Sequence, residues 1–282
     1  MSHPAFGADD DHDLPLVSIV ITCFNYAEFL AEAIDSALVQ TYGTVEVIVV
    51  NDGSTDSTET VARQYADHIH YLYQENRGVS EARNAGIQIA RGDFVVCLDA
   101  DDRLAPDFVE QCVRLLRAHP EVGFVYTSLM LFGRESGVLA GPQYDVGQLK
   151  WSNFIHASAL IRSTVLKTHL YDESVPEAED WNFYLTLAEH GIHGILLDEP
   201  LLNYRKHTDR FSRLDSLTYR ARRTQLKIVK AHPDMYTSVE KVIAAVNAAA
   251  EPFRKSAGRS KRRLTGALTW WLRRNAGSTR TR

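Results

Sequence analysis

Four short apolar runs, separated by segments of helical spacing, set the limits on what this chain can fold into. They are residues 16–22 (LVSIVIT), 45–50 (VEVIVV), 69–73 (IHYLY) and 94–98 (FVVCL). The first, second and fourth, unbroken and β-branched, read as strands covered on both faces, and 69–73 as a short strand. Residues 27–39 and 79–90 carry helical spacing between them. Ser54, Thr55 and Asp56 offer N-caps to a third helix reaching about Tyr65. The β-α-β-α-β-α-β order predicts an α/β protein: a mostly parallel central sheet with helices on both faces.

The fourth run ends in Asp99, Asp101 and Asp102. Carboxylates at the carboxyl end of a buried strand sit where open α/β sheets bind ligands. Three acids this close repel one another unless a positive charge joins them. A hard divalent cation shared with substrate phosphates answers that need. The same acids also fit a simple capping role for a helix starting near Pro106.

Further acids and cations follow the same logic. Asp52 ends the second strand before Gly53. It either starts the next helix as an Asx turn or accepts hydrogen bonds from a ribose or a base N–H. Gly78 precedes a helix N-terminus, and Arg83 lies one turn into that helix. The guanidinium reaches a diphosphate or pyrimidine edge, or it pairs on the surface with Glu81 or Asp52. In the run EAEDW, Asp180 suits a general base toward a hydroxyl, or a charge matched to a helix dipole. Glu179 and Trp181 flank it as acceptor contacts, with the core as the other place for the tryptophan. The run YRKH brings His207 and two cations after a short strand, for phosphate, for metal or for structure.

The runs VSIVITCFNYAEFLAEAIDSAL, VIVVNDGSTDST, NRGVSEARNAG, FVVCLDADD, EAEDW and YRKH occur in that order. Together they resemble the family-2 inverting glycosyltransferases of GT-A fold, over roughly residues 15–210. The resemblance implies a nucleotide site lined by Thr22, Asp52 and Arg83. It implies Mg²⁺ or Mn²⁺ on a diphosphate held by Asp99 and Asp101, with Asp102 and His207 beside them, and Asp180 as catalytic base. The donor it implies is a nucleotide sugar, UDP-linked first of all. The acceptor is a glycan or lipid-linked hydroxyl, as in cell-surface polysaccharide synthesis. Asn51 departs from the family's usual first acid, and Asn182 stands where another acid is common. A sugar-phosphate nucleotidyltransferase is the rival enzyme class, but the Gly-rich loop expected after its first strand is replaced by Cys23-Phe24-Asn25-Tyr26-Ala27. A silent nucleotide-sugar-binding module is the other rival.

The expected organisation is a leader over 1–14 and a GT-A domain over 15–213. That domain divides into a nucleotide-binding half (15–127) and an acceptor half (128–213). A C-terminal helical region with a basic tail covers 214–282, helical from about Leu214 to Val246. Segment 128–150 reads as a hairpin or loop, and residues 195–197 and 201–204 as two short strands. Three separated cysteines argue against a disulfide framework or zinc site and fit a reducing cytosol. The polar first thirteen residues carry no signal-peptide pattern, and no apolar run is long enough to span a bilayer.

The formal charge of -5 conceals an asymmetry. Ten bases and no acid follow Glu251, which leaves 21 bases against 36 acids elsewhere. Leu264, Leu268, Trp270, Trp271 and Leu272 lie among those bases. That mix suits a helix on an anionic membrane surface through 253–282, a solubilising tail, or a helix packed on the acidic body. A cytoplasmic enzyme, free or peripheral on the inner face of the cell membrane, is the expectation, with no nucleic-acid partner.

Overall fold

The computed structural model describes residues 14–175, 178–207 and 219–249. The chain opens as β1 (Val17–Cys23), α1 (Ala27–Leu38), β2 (Val45–Asp52), α2 (Thr58–Arg63), β3 (His70–Gln74), α3 (Val79–Ile89) and β4 (Phe94–Asp99). It continues through β5 (Arg103–Leu104), α4 (Phe108–Ala118), β6 (Phe124–Gly133), β7 (Gly137–Leu139), α5 (Val146–Leu149), β8 (Leu160–Arg162) and α6 (Ser163–Leu166). The last elements are α7 (Glu179–Glu189), β9 (Gly194–Lys206), α8 (Tyr219–Ala231) and α9 (Ser238–Ala249).

The strands form one sheet in the order β3-β2-β1-β4-β8-β6-β9-β5, with β7 paired to β6. The first four are mutually parallel, and β6 and β9 are parallel to each other. The pairings of β5, β7 and β8 are antiparallel. This is the mostly parallel sheet expected from the unbroken runs. All seven residues of β1 are buried, because helices cover both of its faces. Val17, Ile19 and Ile21 pack with α1, α2 and α4 through Leu30, Ile34, Ala62, Phe108 and Leu116. Val20 faces the other way, into a core with Ala82, Phe183, Tyr184 and Ile228.

The order reverses at β1, which has β2 on one side and β4 on the other. Connections from β1 and β4 leave in opposite directions, so a crevice opens at their carboxyl ends. Thr22 and Asp99 are register partners there.

Three expectations are corrected. The two short strands at 195–197 and 201–204 are one strand, β9. Its pairing with β6 shifts register between Thr127 and Leu129, and the bulge absorbs Pro200, which has no N–H to donate. Ser128 Oγ donates to Asp198 Oδ1 at 2.9 Å within that irregularity. The expected helix from 214 to 246 is broken: Pro233 cannot continue α8 and starts a 3₁₀ turn, Pro233–Met235, before α9. The helix expected to follow caps at 54–56 and to reach about Tyr65 is shorter, Thr58–Arg63, with Thr58 N–H donating to Asp56 Oδ1 at 3.0 Å. Segment 128–150 contains the β6–β7 hairpin and α5.

Polar contacts fasten α8 to α7. His232 Nδ1 lies 2.8 Å from Glu189 Oε2, and Nε2 lies 3.0 Å from Asn182 Oδ1. Asn182 is thus an attachment point for the C-terminal helices. No helix among the described residues is long and apolar enough to cross a membrane.

α3 packs on β1 and β2 through Gly86. A Cβ there would lie 2.2 Å from Val20 Cγ1 and 3.1 Å from Val50 Cγ2, both on stiff β-branched side chains. Gly86→Ala gains about 1 kcal/mol of helix propensity but overpacks the interface by about 1–3 kcal/mol. The expected outcome is a lower urea midpoint for Gly86→Ala than for the parent chain.

Candidate functional site

The site is built at the reversal point from the end of β4. Asp99, Asp101 and Asp102 each offer a carboxylate oxygen, all within 4.8 Å of one another. Asp102 is buried, and its Oδ1 accepts from Arg205 N at 2.8 Å. Arg205 Nε donates to Asp101 O at 2.8 Å, and its guanidinium lies over the Phe29 and Phe132 rings at 4.3 and 4.4 Å. Arg205 therefore stitches the end of β9 to the acidic turn. Two residues later, His207 Nε2 comes to 2.8 Å from Asp101 Oδ2, while its ring packs against Phe29 with centroids 5.3 Å apart. Burial, and then the Asp99 charge, push the Asp101 carboxyl upward against the pull of His207. This self-repelling oxygen set with one imidazole is chemically suited to a hard divalent cation.

Arg83 joins that turn to α7. The side chain is almost wholly buried; Nη2 donates to Asp99 Oδ1 at 2.8 Å and Nη1 to Glu179 Oε1 at 3.1 Å. Burial opposes its charge, but the Asp99 and Glu179 carboxylates outweigh burial and hold it protonated. Nε is buried without a hydrogen-bond partner. The surface pairing of Arg83 with Glu81 or Asp52 does not occur: Glu81 pairs with Arg77. Glu179 is buried on Arg83, not presented outward. Its neighbour Asp180 lies in the first turn of α7, where Oδ1 accepts from Trp181 N at 2.8 Å.

Trp181 is buried, and its Nε1 donates to Leu149 O at 2.6 Å. A ring enclosed in the core offers no face to a sugar, so its acceptor contact is corrected.

Asp52 collects donors from the loop before α3. Oδ1 accepts from Gln74 Nε2 at 2.7 Å and Arg77 N at 2.9 Å; Oδ2 accepts from Gly78 N at 2.9 Å. Gly78 adopts φ +94°, a left-handed conformation that favours glycine. The loops after β1 and β2 are latched together. Asn25, at φ +56°, donates from N to Ser54 Oγ at 2.9 Å and accepts from Thr55 N at 2.8 Å. Asn51 uses both ends of its amide: Oδ1 accepts from Ser54 N and Nδ2 donates to Tyr71 OH, each at 2.9 Å.

The structure therefore joins Arg83, Asp99, Asp101, Asp102, Glu179 and His207 in one cluster at the end of β4, with Thr22 the register partner of Asp99. Asp52 sits at the neighbouring strand end. Sequence reasoning offered Arg205, as a cation of the YRKH run, to phosphate or metal and did not foresee its anchoring of the acidic turn, and it missed Glu179 as a counter-ion of Arg83.

The model of glycosyl transferase family 2 matches residues 18–167, over half of the chain. The chain belongs to that family. An uncharacterized glycosyltransferase of Rickettsia prowazekii is 38% identical over 201 residues, covering 67% of this chain and 63% of the relative. The chondroitin synthase of Escherichia coli is 32% identical over 186 residues, covering 63% of this chain and 27% of the relative. The chain thus spans less than two thirds of the length of these curated relatives. Among solved structures, a mannosyltransferase from Pyrobaculum calidifontis in complex with GDP-Man and Mn²⁺ superposes with a TM-score of 0.61. That pair is 21% identical, covering 97% of this chain and 84% of the other. S. aureus TarS in complex with UDP-GlcNAc superposes with a TM-score of 0.61 at 18% identity, covering 83% of this chain and 70% of the other. The fold is the GT-A fold of these enzymes.

The Arg83 bridge is testable by stability. Arg83→Met strands two carboxylates and is expected to cost about 3–5 kcal/mol in a denaturant titration. Adding Glu179→Met to that variant should recover part of the loss.

Proposed function

We propose that this glycosyltransferase is metal-dependent and inverting. It moves a hexosyl or N-acetylhexosaminyl unit from a nucleoside-diphosphate sugar, UDP-linked first of all, to a hydroxyl of a glycan or lipid-linked acceptor. The observation that carries the reading is the pairing of Arg83 with both Asp99 and Glu179. That bridge ties the start of α7, the helix that carries Asp180, to the acidic turn through Glu179. The chondroitin synthase relative and the UDP-GlcNAc and GDP-Man complexes of the structural neighbours support this donor and product class.

Asp99, Asp101, Asp102 and His207 would hold Mg²⁺ or Mn²⁺. Bound there, such a cation would supply positive charge against a departing diphosphate. Arg83 orients Asp99. With both terminal nitrogens on carboxylates, it is a positioning group for the nucleotide site. Thr22 lines that site beside Asp99, and Asp52 holds the 75–78 loop along the nucleotide. Asp180 takes the proton from the acceptor hydroxyl while that oxygen bonds to the anomeric carbon and the bond to the diphosphate oxygen breaks. Attack opposite the leaving group inverts the centre, so an α-linked donor yields a β-linkage.

General-base help is worth about a hundred- to ten-thousand-fold. Asp180→Asn is therefore expected to bind UDP-sugars with the parent affinity by calorimetry and to lose turnover by about that factor. Near-parental transfer would remove Asp180 from the role. Donor affinity of the parent chain should fall on adding EDTA and return with Mn²⁺, and Asp101→Ala should abolish that difference. Equal affinity with and without chelator would end the metal assignment.

A further inference from the structure

We propose that the exposed apolar face of α9 is a docking surface for an anionic lipid bilayer. Val239, Val242 and Ile243 are 68%, 51% and 47% exposed. Their i, i+3, i+4 spacing puts them on one face of the helix. Ala244 is buried against the body. Glu240, the single acid of α9, is engaged with Lys150 at 3.0 Å and with Thr237 N at 2.7 Å. Lys241 is exposed on α9, and Lys227 and Lys230 are exposed on α8, which packs on it.

Charge identifies the occupant. From Tyr219 onward the sequence holds sixteen bases and three acids; before Tyr219 it holds fifteen bases and thirty-three acids. An anionic surface is repelled by the body and attracted to this end of the chain. Ten of those bases follow Glu251 with no acid among them, interspersed with Trp270 and Trp271. Tryptophans among cations suit the headgroup layer. A second copy on the same face would set like charges against each other. The proposal stands apart from the catalytic reading, since none of these residues belongs to the site at β4.

The test uses full-length protein in flotation with vesicles of phosphatidylcholine alone or mixed with phosphatidylglycerol. Binding is expected to the mixed vesicles and to weaken with salt. Val242→Ser/Ile243→Ser should lower the partition coefficient about tenfold with transfer activity on a soluble acceptor unchanged. Lys261→Gln/Arg262→Gln/Arg263→Gln should lower binding to mixed vesicles only. The three native cysteines are buried, so a polarity-sensitive thiol probe on Val242→Cys reports this face selectively. Its emission should shift to the blue only when mixed vesicles are added. The proposal is overturned by a parent chain that does not float. It is also overturned by flotation indifferent to the serine pair, which leaves the tail alone as the binder. A probe already blue-shifted in buffer, or a dimer in light scattering that the serine pair dissociates, would show the face covered by the chain itself or by a second copy.

Discussion

A buried guanidinium between two carboxylates is the contact on which the rest depends. Arg83 reaches from α3 to Asp99 at the tip of β4 and to Glu179 at the start of α7. Charges out of water are costly unless paired and hydrogen-bonded, and removing one member of such a group costs more than the pair contributes. The three side chains therefore persist together. Ninety-six residues of chain separate Arg83 from Glu179, so the bridge fixes the second half of the fold against the first.

The sheet explains why the bridge stands where it does. Strand order reverses at β1, and Thr22 and Asp99 end adjacent strands at the reversal. The same edge receives the loop latch made by Asn25, Ser54 and Thr55 and the β9 anchor made by Arg205. Three separate pieces of chain thus meet around the acidic turn. Their cohesion comes from hydrogen bonds to backbone N–H and C=O groups, which hold side chains more tightly than surface ion pairs do.

Much of this was legible in the sequence because burial on both faces leaves a plain signature. The runs ending at Thr22, Val50 and Leu98 are apolar at nearly every position, and the acids after Leu98 break them sharply. β9 was harder to read: two acids and Pro200 interrupt its apolar pattern, and a bulge resolves that interruption only through pairing with β6. The stop at Pro233 carried its usual local signal, but the helical spacing on either side concealed it. Partners of Arg83 were not legible, since Glu81 is nearer in sequence than either Asp99 or Glu179 and three-dimensional closure alone selects those two. Trp181 illustrates the same limit. A tryptophan after two acids reads as a sugar platform or, more commonly, as a core residue, and Leu149 O, thirty-two positions away, decides for the core.

The His232 contact has a practical meaning for anyone trimming this chain. The span that defines the family stops at residue 167, ahead of α7, while α7 is gripped from behind through Asn182 and Glu189. An expression boundary drawn at the family limit would discard the counter-ion of Arg83. One drawn just before α8 would remove His232 from Asn182 and Glu189, and Ile228 from the core it joins. The contacts that hold α7 thus run past the family signature, as far as His232 after α8.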